Sequence, residues 1–303
     1  MKNKEGMVHM SRLSIFLFVF LILLTGCTRK QEMPENPFRM KQVTIVQPED
    51  DRSLEIAYYY DEQGNVVQEQ QFADGEPDIT WSYEYDEWGN LLKETTTHAD
   101  GTVHITEYKL TLDEKHRITY REIIWDGALK SVHETVYDDQ GNPVSVSSRH
   151  FSGFGDEDRR MVSKSYDKDG NLVTETMQWL LPGKTMDENG NIVTDNTQWL
   201  EDPNSGGTTT YFYESGCLVR SEHILPNGRM DRYTEYAYDD SGLTQTAVEY
   251  ENGFPLSRVV ETYDEYGNLL KHEYFRLSAD IPGGGDDVAD RVNAYTYELR
   301  NQE

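Results

Sequence analysis

The sequence predicts an all-β fold, a repetitive antiparallel meander of hairpins forming a long sheet that coils or closes on itself. Three observations predict it. First, a pattern Tyr-Asp-x-x-Gly-Asn recurs as YDEQGN at 60–65, YDEWGN at 85–90, YDDQGN at 137–142, YDKDGN at 166–171 and YDEYGN at 263–268. Second, a further turn signal follows each unit, as in Asp74-Gly75, Asp100-Gly101, Asp126-Gly127, Asn227-Gly228 and Asn252-Gly253, and such dipeptides between β-rich runs mark hairpins. Third, the runs between turns alternate: Ile79, Trp81, Tyr83 and Tyr85 stand between Thr80, Ser82 and Glu84, the period of a half-buried strand.

The N-terminal element comes first. Lys2, Lys4 and Arg12 precede an apolar run from Leu13 to Leu24, shorter than the roughly 20 residues a spanning helix needs. That is the layout of a signal peptide. Its end, Leu24-Thr25-Gly26-Cys27, resembles the lipobox of bacterial lipoproteins. The resemblance implies acylation at Cys27, palmitate among the acyl groups, and attachment to a membrane on the extracytoplasmic side. The expected organisation is a signal peptide over residues 1–26, a lipidated cysteine and flexible tether over 27–52, and a repeat domain over 53–303. Residues 28–50 are polar, aperiodic and proline-bearing, as a tether should be.

The repeat domain is read from its turns. With the degenerate copies at 112–118 (LDEKHRI) and 213–219 (YESGCLV), and further copies around Gly190 and Gly242, about nine units of about 25 residues fill it. Asp is favoured at the first position of a type I turn, and Gly where φ must be positive. The motif is therefore an instruction for a bulged hairpin loop, and its two central residues are free. Two strands per unit give about 17 or 18 strands. An open sheet rarely exceeds about ten without curling or splitting, so the array should coil, close or divide; a small β-propeller is the alternative architecture.

These Tyr-Asp units resemble the YD repeats of Rhs-type and teneurin-related proteins over residues 55–275. The resemblance implies a repetitive β surface on the cell exterior, of the kind through which some relatives are thought to bind carbohydrate. The tail after Ala279 is too short to be a toxin domain of the kind such arrays enclose.

Composition limits function. The chain carries 28 basic and 55 acidic residues, a net charge of −27, which repels phosphate backbones and argues against nucleic acid as a partner. Apolar content is 36 % and tyrosines number 20, so amphipathic Tyr should supply much of a thin core. The eight histidines stand singly, without the paired spacing of a zinc site, and no nucleophile, phosphate-loop or dinucleotide motif occurs; no cofactor is expected. Cys217 has no suggestive histidine near it in sequence, and with Cys27 acylated no internal disulfide is expected. The weak calcium candidates are Asp280, Asp286, Asp287 and Asp290 around Gly283-Gly284-Gly285, carboxylates clustered on a loop.

The candidate ligand-binding residues are tryptophans. Trp179 and Trp199 share a Gln-Trp-Leu context nine residues after their motif glycines, which predicts equivalent positions in neighbouring units. Trp88 occupies a free turn position and should be an exposed aromatic without a packing partner. Aromatic faces on an extended sheet stack on sugars, so a structural or binding role toward carbohydrate or another envelope ligand is the expected function. A polysaccharide-active enzyme using paired carboxylates is the alternative.

Overall fold

In the computed structural model, the described residues are 38–47, 52–73, 75–151, 157–186, 192–277 and 289–299. Among them are 18 strands and no helix: β1 (Phe38–Gln47), β2 (Arg52–Tyr60), β3 (Val66–Ala73), β4 (Glu76–Tyr85), β5 (Leu91–His98), β6 (Val103–Leu112), β7 (Ile118–Trp125), β8 (Ala128–Tyr137), β9 (Pro143–Phe151), β10 (Glu157–Tyr166), β11 (Leu172–Met186), β12 (Ile192–Glu214), β13 (Cys217–Ile224), β14 (Met230–Tyr238), β15 (Thr244–Glu251), β16 (Phe254–Tyr263), β17 (Leu269–Arg276) and β18 (Arg291–Leu299). Each strand pairs antiparallel with the next along the chain, and β1 also pairs with β18, Val43 opposite Tyr295 and Ile45 opposite Asn293. The meander is therefore a closed barrel and not a propeller. Closure removes both edges, which an open sheet of this length would leave as templates for aggregation.

The strand that closes the barrel lies inside the expected tether. β1 carries no Tyr-Asp motif, so the repeat signal does not reach it. Val43 and Ile45 nonetheless alternate with Gln42 and Thr44, and Val43 packs with Ile56 and Tyr58 in the best-buried cluster of the chain. The barrel wall thus takes in Phe38–Gln47, residues that the sequence assigns to the tether.

The motif turns form one rim. Eight connections lie there, seven of five residues and one of two, Ser215-Gly216, between β12 and β13. In YDEQGN, the Gly64 amide donates to the Asp61 carbonyl at 3.1 Å and the Asp61 amide to the Asn65 carbonyl at 3.0 Å. Gly64 sits at φ 89°, the left-handed position expected of a bulged type I loop. His116 takes the equivalent place at φ 59°. The Asp carboxylate also clamps the far side of the loop, accepting the Asn65 backbone amide at 2.8 Å and the Asn65 side-chain amide at 2.9 Å. The same clamp joins Asp86 to Asn90, Asp138 to Asn142, Asp167 to Asn171 and Asp264 to Asn268. Where Arg117 replaces Asn, its Nε donates to Asp113 at 2.8 Å instead.

Four motif tyrosines, the Tyr213 of a degenerate copy and Tyr297 outside the motif are stitches between units, whereas Tyr263 donates to Glu261 at 2.7 Å. The phenol of Tyr85 donates to the carbonyl of Val66 at 2.7 Å, in the exit strand of the preceding unit. Tyr137, Tyr166, Tyr213, Tyr238 and Tyr297 do the same to Ile118, Pro143, Leu172, Leu218 and Leu269. Phe38 pairs with Leu299, which sets both ends of the barrel wall at this rim.

The copy around Gly190 lies outside the described residues. The strands on either side of it, β11 and β12, run 15 and 23 residues, longer than their neighbours, and extend the wall away from the motif rim.

Candidate functional site

Register assigns every strand residue to one of two faces, because side chains alternate along a strand and pair across it. On β6 the inner set is His104, Thr106, Tyr108, Leu110 and Leu112, all half-buried, while Val103, Ile105, Glu107, Lys109 and Thr111 are exposed. Following the pairs around the barrel, the outer wall shows Lys93, Thr95 and Thr97 on β5, Ser145, Ser147 and Arg149 on β9, and Thr174, Thr176 and Gln178 on β11. A barrel wall in lipid needs an apolar outer band. The described outer wall shows no such continuous band: hydroxyls and ion pairs such as Lys93–Glu84 at 2.7 Å and Arg220–Glu235 at 2.9 Å stand among exposed Val103, Ile105, Val136, Met161 and Phe212.

The inner wall encloses a lumen. Barrels of this strand number are too wide for side chains to fill, and no described side chain is fully buried. The lining is aromatic and polar. Tyr58, Trp81, Tyr83, Tyr108, Trp125 and Trp179 face inward, among glutamate, histidine, arginine and hydroxyl side chains. Burial pushes the phenols of Tyr85, Tyr108, Tyr211 and Tyr238 up to about 12, helped by nearby carboxylates or tyrosines.

Two parts of this lining carry charge in a specific arrangement. On β3–β5, Tyr83 donates to Glu69 at 3.1 Å and stands opposite Glu94. Burial raises the carboxyl pKa of Glu69, against the Tyr83 hydrogen bond, and the charge of Glu94 raises it further. This is where the lumen brings two carboxylates toward one hydroxyl. On β7–β10, one cross-strand row reads Arg121, His133, Ser148, Arg160, and continues to Trp179 on β11. His133 is held by Ser131 and Ser148 hydroxyls, each at 2.9 Å.

The tryptophans singled out in the sequence fall in three places. Trp179 faces the lumen with the Arg160 guanidinium 5.9 Å from its ring centroid, whereas Trp199 lies under Arg159 at 3.9 Å. Arg159 and Arg160 are consecutive in one strand and point to opposite faces, so the two tryptophans do too. They are not equivalent positions of neighbouring units, because both flank the single long β11–β12 hairpin, Trp199 pairing with Pro182. Trp88 is 51 % exposed at the rim, yet it has a partner: its ring stacks on His116 of the next turn at 4.5 Å and 13°. Trp81 and Trp125, for which the sequence carried no site expectation, face the lumen; strand alternation puts each on one face of its strand, and closure of the barrel turns that face inward.

Cys217 is not a turn residue. It opens β13, is buried at 5 % exposure, and is disulfide-bonded. The chain's other cysteine is Cys27, which lies outside the described residues, as do Asp280, Asp286 and Asp287. Asp290 is described, and its carboxylate accepts the backbone amide of Arg276.

Comparison with known proteins places repeats of one family in this wall. A search of curated proteins found no match. Among solved structures, a porin-like protein from Bacteroides uniformis ATCC 8492 is similar at 12 % identity, covering 86 % of this chain and 97 % of its own, with a TM-score of 0.26; nothing is read across at that score. The family model named RHS Repeat matches residues 60–103, which hold two consecutive motif turns and the strands between them, so this part of the barrel is built of Rhs-type YD repeats.

Proposed function

We propose that this chain is a lipid-anchored binding protein of the bacterial cell envelope, which holds a carbohydrate or other envelope polymer against the aromatic lining of its barrel. The observation that carries the reading is the inner wall. Trp81, Trp125 and Trp179 stand there beside hydrogen-bonding side chains, the combination that receives sugar rings. None of the eight connections at the motif rim exceeds five residues, too short to fold across so wide a lumen.

The anchor rests on the sequence, through the charged and apolar segments and the box ending in Cys27. With β1 starting at the motif rim, the tether would leave from that rim, turning it toward the membrane and the opposite rim outward. Acylation and a disulfide compete for one sulfur. Intact mass of the purified chain separates them: a mass increment of acyl chains on a protein starting at residue 27 supports the anchor, and a non-acylated, disulfide-linked chain removes it.

Binding is tested on a glycan array, with Trp179→Ala and Trp125→Ala beside the wild type. Loss of a wild-type signal in both variants is the expected result, and silence of the wild type on neutral and acidic glycans sinks the reading. A hydrolase is the second reading, favoured by Glu69 and Glu94 around Tyr83. Glucan or uronan cleavage lost in Glu69→Gln would establish it.

A further inference from the structure

The chain as a whole is strongly acidic, but one strip of its inner wall is not. Across β7–β10 the lumen-facing ionisable groups are Arg121, His133, His150, Asp158, Arg160 and Lys164. Lys164 is neutralised by Glu175 at 2.9 Å, and among the described residues Asp158 is the one acid on these four inner faces. Arg121 and Arg160 have no ion pair among the described residues, and the Nε of each is buried without a hydrogen-bond partner. On the other side of the lumen, by contrast, Arg232 is matched by Glu249 at 3.1 Å.

A guanidinium partly withdrawn from water without a counter-charge is costly, because its desolvation is not offset. The cost is visible in its neighbour. Burial, together with the charges of Arg121, His150 and Arg160, lowers the His133 imidazole to about 4. An anion seated on the row would relieve that repulsion.

We propose that this strip binds an acidic carbohydrate, one bearing uronic acid carboxylates, with Arg121 and Arg160 as the carboxylate receptors. The inference rests on the carbohydrate reading above and narrows it. Guanidinium presents paired donors that match a carboxylate. Arg121 and Arg160 stand three strand intervals apart, roughly 14 Å at about 4.8 Å per interval, so they address separate residues of an oligomer and not one monosaccharide. Aromatic faces stand beside the row, Trp179 next to Arg160 and Trp125 under Lys130 at 5.2 Å, and hydroxyls of Ser131 and Ser148 lie between.

The test is calorimetric titration of the full chain in detergent with oligogalacturonate and with its methyl ester, which keeps the ring and removes the charge. The acid form should bind at least tenfold more tightly than the ester. Arg121→Gln and Arg160→Gln should each weaken the acid form about tenfold and leave the ester unchanged, Arg160→Lys should keep part of the affinity, and Arg220→Gln on the outer wall should do nothing. The wild-type affinity for the acid form should also fall on raising salt from about 0.05 to 0.5 M, and the His133 imidazole, followed by NMR, should titrate at higher pH with ligand bound. Equal binding of acid and ester, or an affinity for the acid indifferent to salt, overturns the inference while leaving neutral carbohydrate binding intact; no binding of any array glycan removes both. If a glutamine variant does not fold, the salt series and Arg160→Lys still decide.

Discussion

Replacing Tyr85 by Phe isolates the stitch between repeats. The ring keeps its place on the inner wall and only the hydroxyl is lost, together with its 2.7 Å bond to the Val66 carbonyl. A net hydrogen bond of this kind is worth about 0.5–1.5 kcal/mol, and the carbonyl left behind can recover part of that from lumen water. The expected loss is therefore about 1 kcal/mol, or roughly 2 °C in midpoint for a chain of this size. The six stitches stand on β4, β8, β10, β12, β14 and β18, two to four strand intervals or roughly 10 to 20 Å apart, so their losses should add. Removing all six should cost about 6 kcal/mol, comparable with the whole stability of an ordinary domain. Urea unfolding followed by tryptophan fluorescence measures each step. Tyr59→Phe is the control, because Tyr59 is on the outer wall and 45 % exposed. If Tyr85→Phe and Tyr59→Phe agree within about 0.3 kcal/mol, the tyrosine is only a packing residue and the account of the motif is wrong.

Raised phenols make the barrel sensitive to alkali. Tyr85, Tyr108, Tyr211 and Tyr238 are pushed from 10.0 to about 12, so the unfolded chain loses its protons first and stability should drop between about pH 10 and 12. Absorbance of phenolate should then rise cooperatively with loss of strand circular dichroism; independent, non-cooperative titration would contradict it. His133 works at the other end: its folded pKa is depressed from 6.5 to about 4, so its contribution is complete above the unfolded value and lost as pH falls through that window. His133→Asn should flatten the pH dependence of the urea midpoint there. At Gly64, φ is 89° and an added Cβ meets nothing within 4 Å, so Gly64→Ala should cost about 1 kcal/mol from backbone strain alone; a larger loss in thermal melts would show that the turn is packed more tightly than this.

The hairpin turns were legible because they are local. Asp and Gly satisfy requirements that a few neighbouring residues set, so their positions marked six of the eight connections at this rim whether or not the rest of the fold was known. The motif's asparagine and tyrosine were not explained by turn geometry. The asparagine answers to the Asp clamp, and the tyrosine to a carbonyl 19 to 41 residues away, which no short window contains. β1 was invisible for the same reason: its partners are β2 and β18, at opposite ends of the chain, and its own text has no turn. The lumen residues were half legible. Alternation put Trp81 and Tyr83 on one face, but which face closes inward depends on closure, and the row from Arg121 to Arg160 exists only across four strands. Trp179 and Trp199 misled because identical local text occurs once before and once after a turn, where the chain has reversed.

Polarity on both faces explains why the barrel has to close. An amphipathic sheet could have buried one face against a second layer, as sandwiches do. Here the outer face carries Thr, Ser and ion pairs, and the inner face combines aromatics with Glu, His and Arg, so neither offers a continuous apolar surface to bury. What remains to stabilise the chain is the ladder itself, the turn clamps and the tyrosine stitches, and the ladder is complete only when β1 meets β18. A solid core would have used the inner aromatics for packing. Closure around a wide lumen leaves them half-exposed instead, in positions held rigid by hydrogen-bonded strands, on the same inner wall as Arg121 and Arg160. The architecture that makes the fold expensive in apolar surface is therefore the same one that leaves an aromatic and polar inner wall open to the lumen.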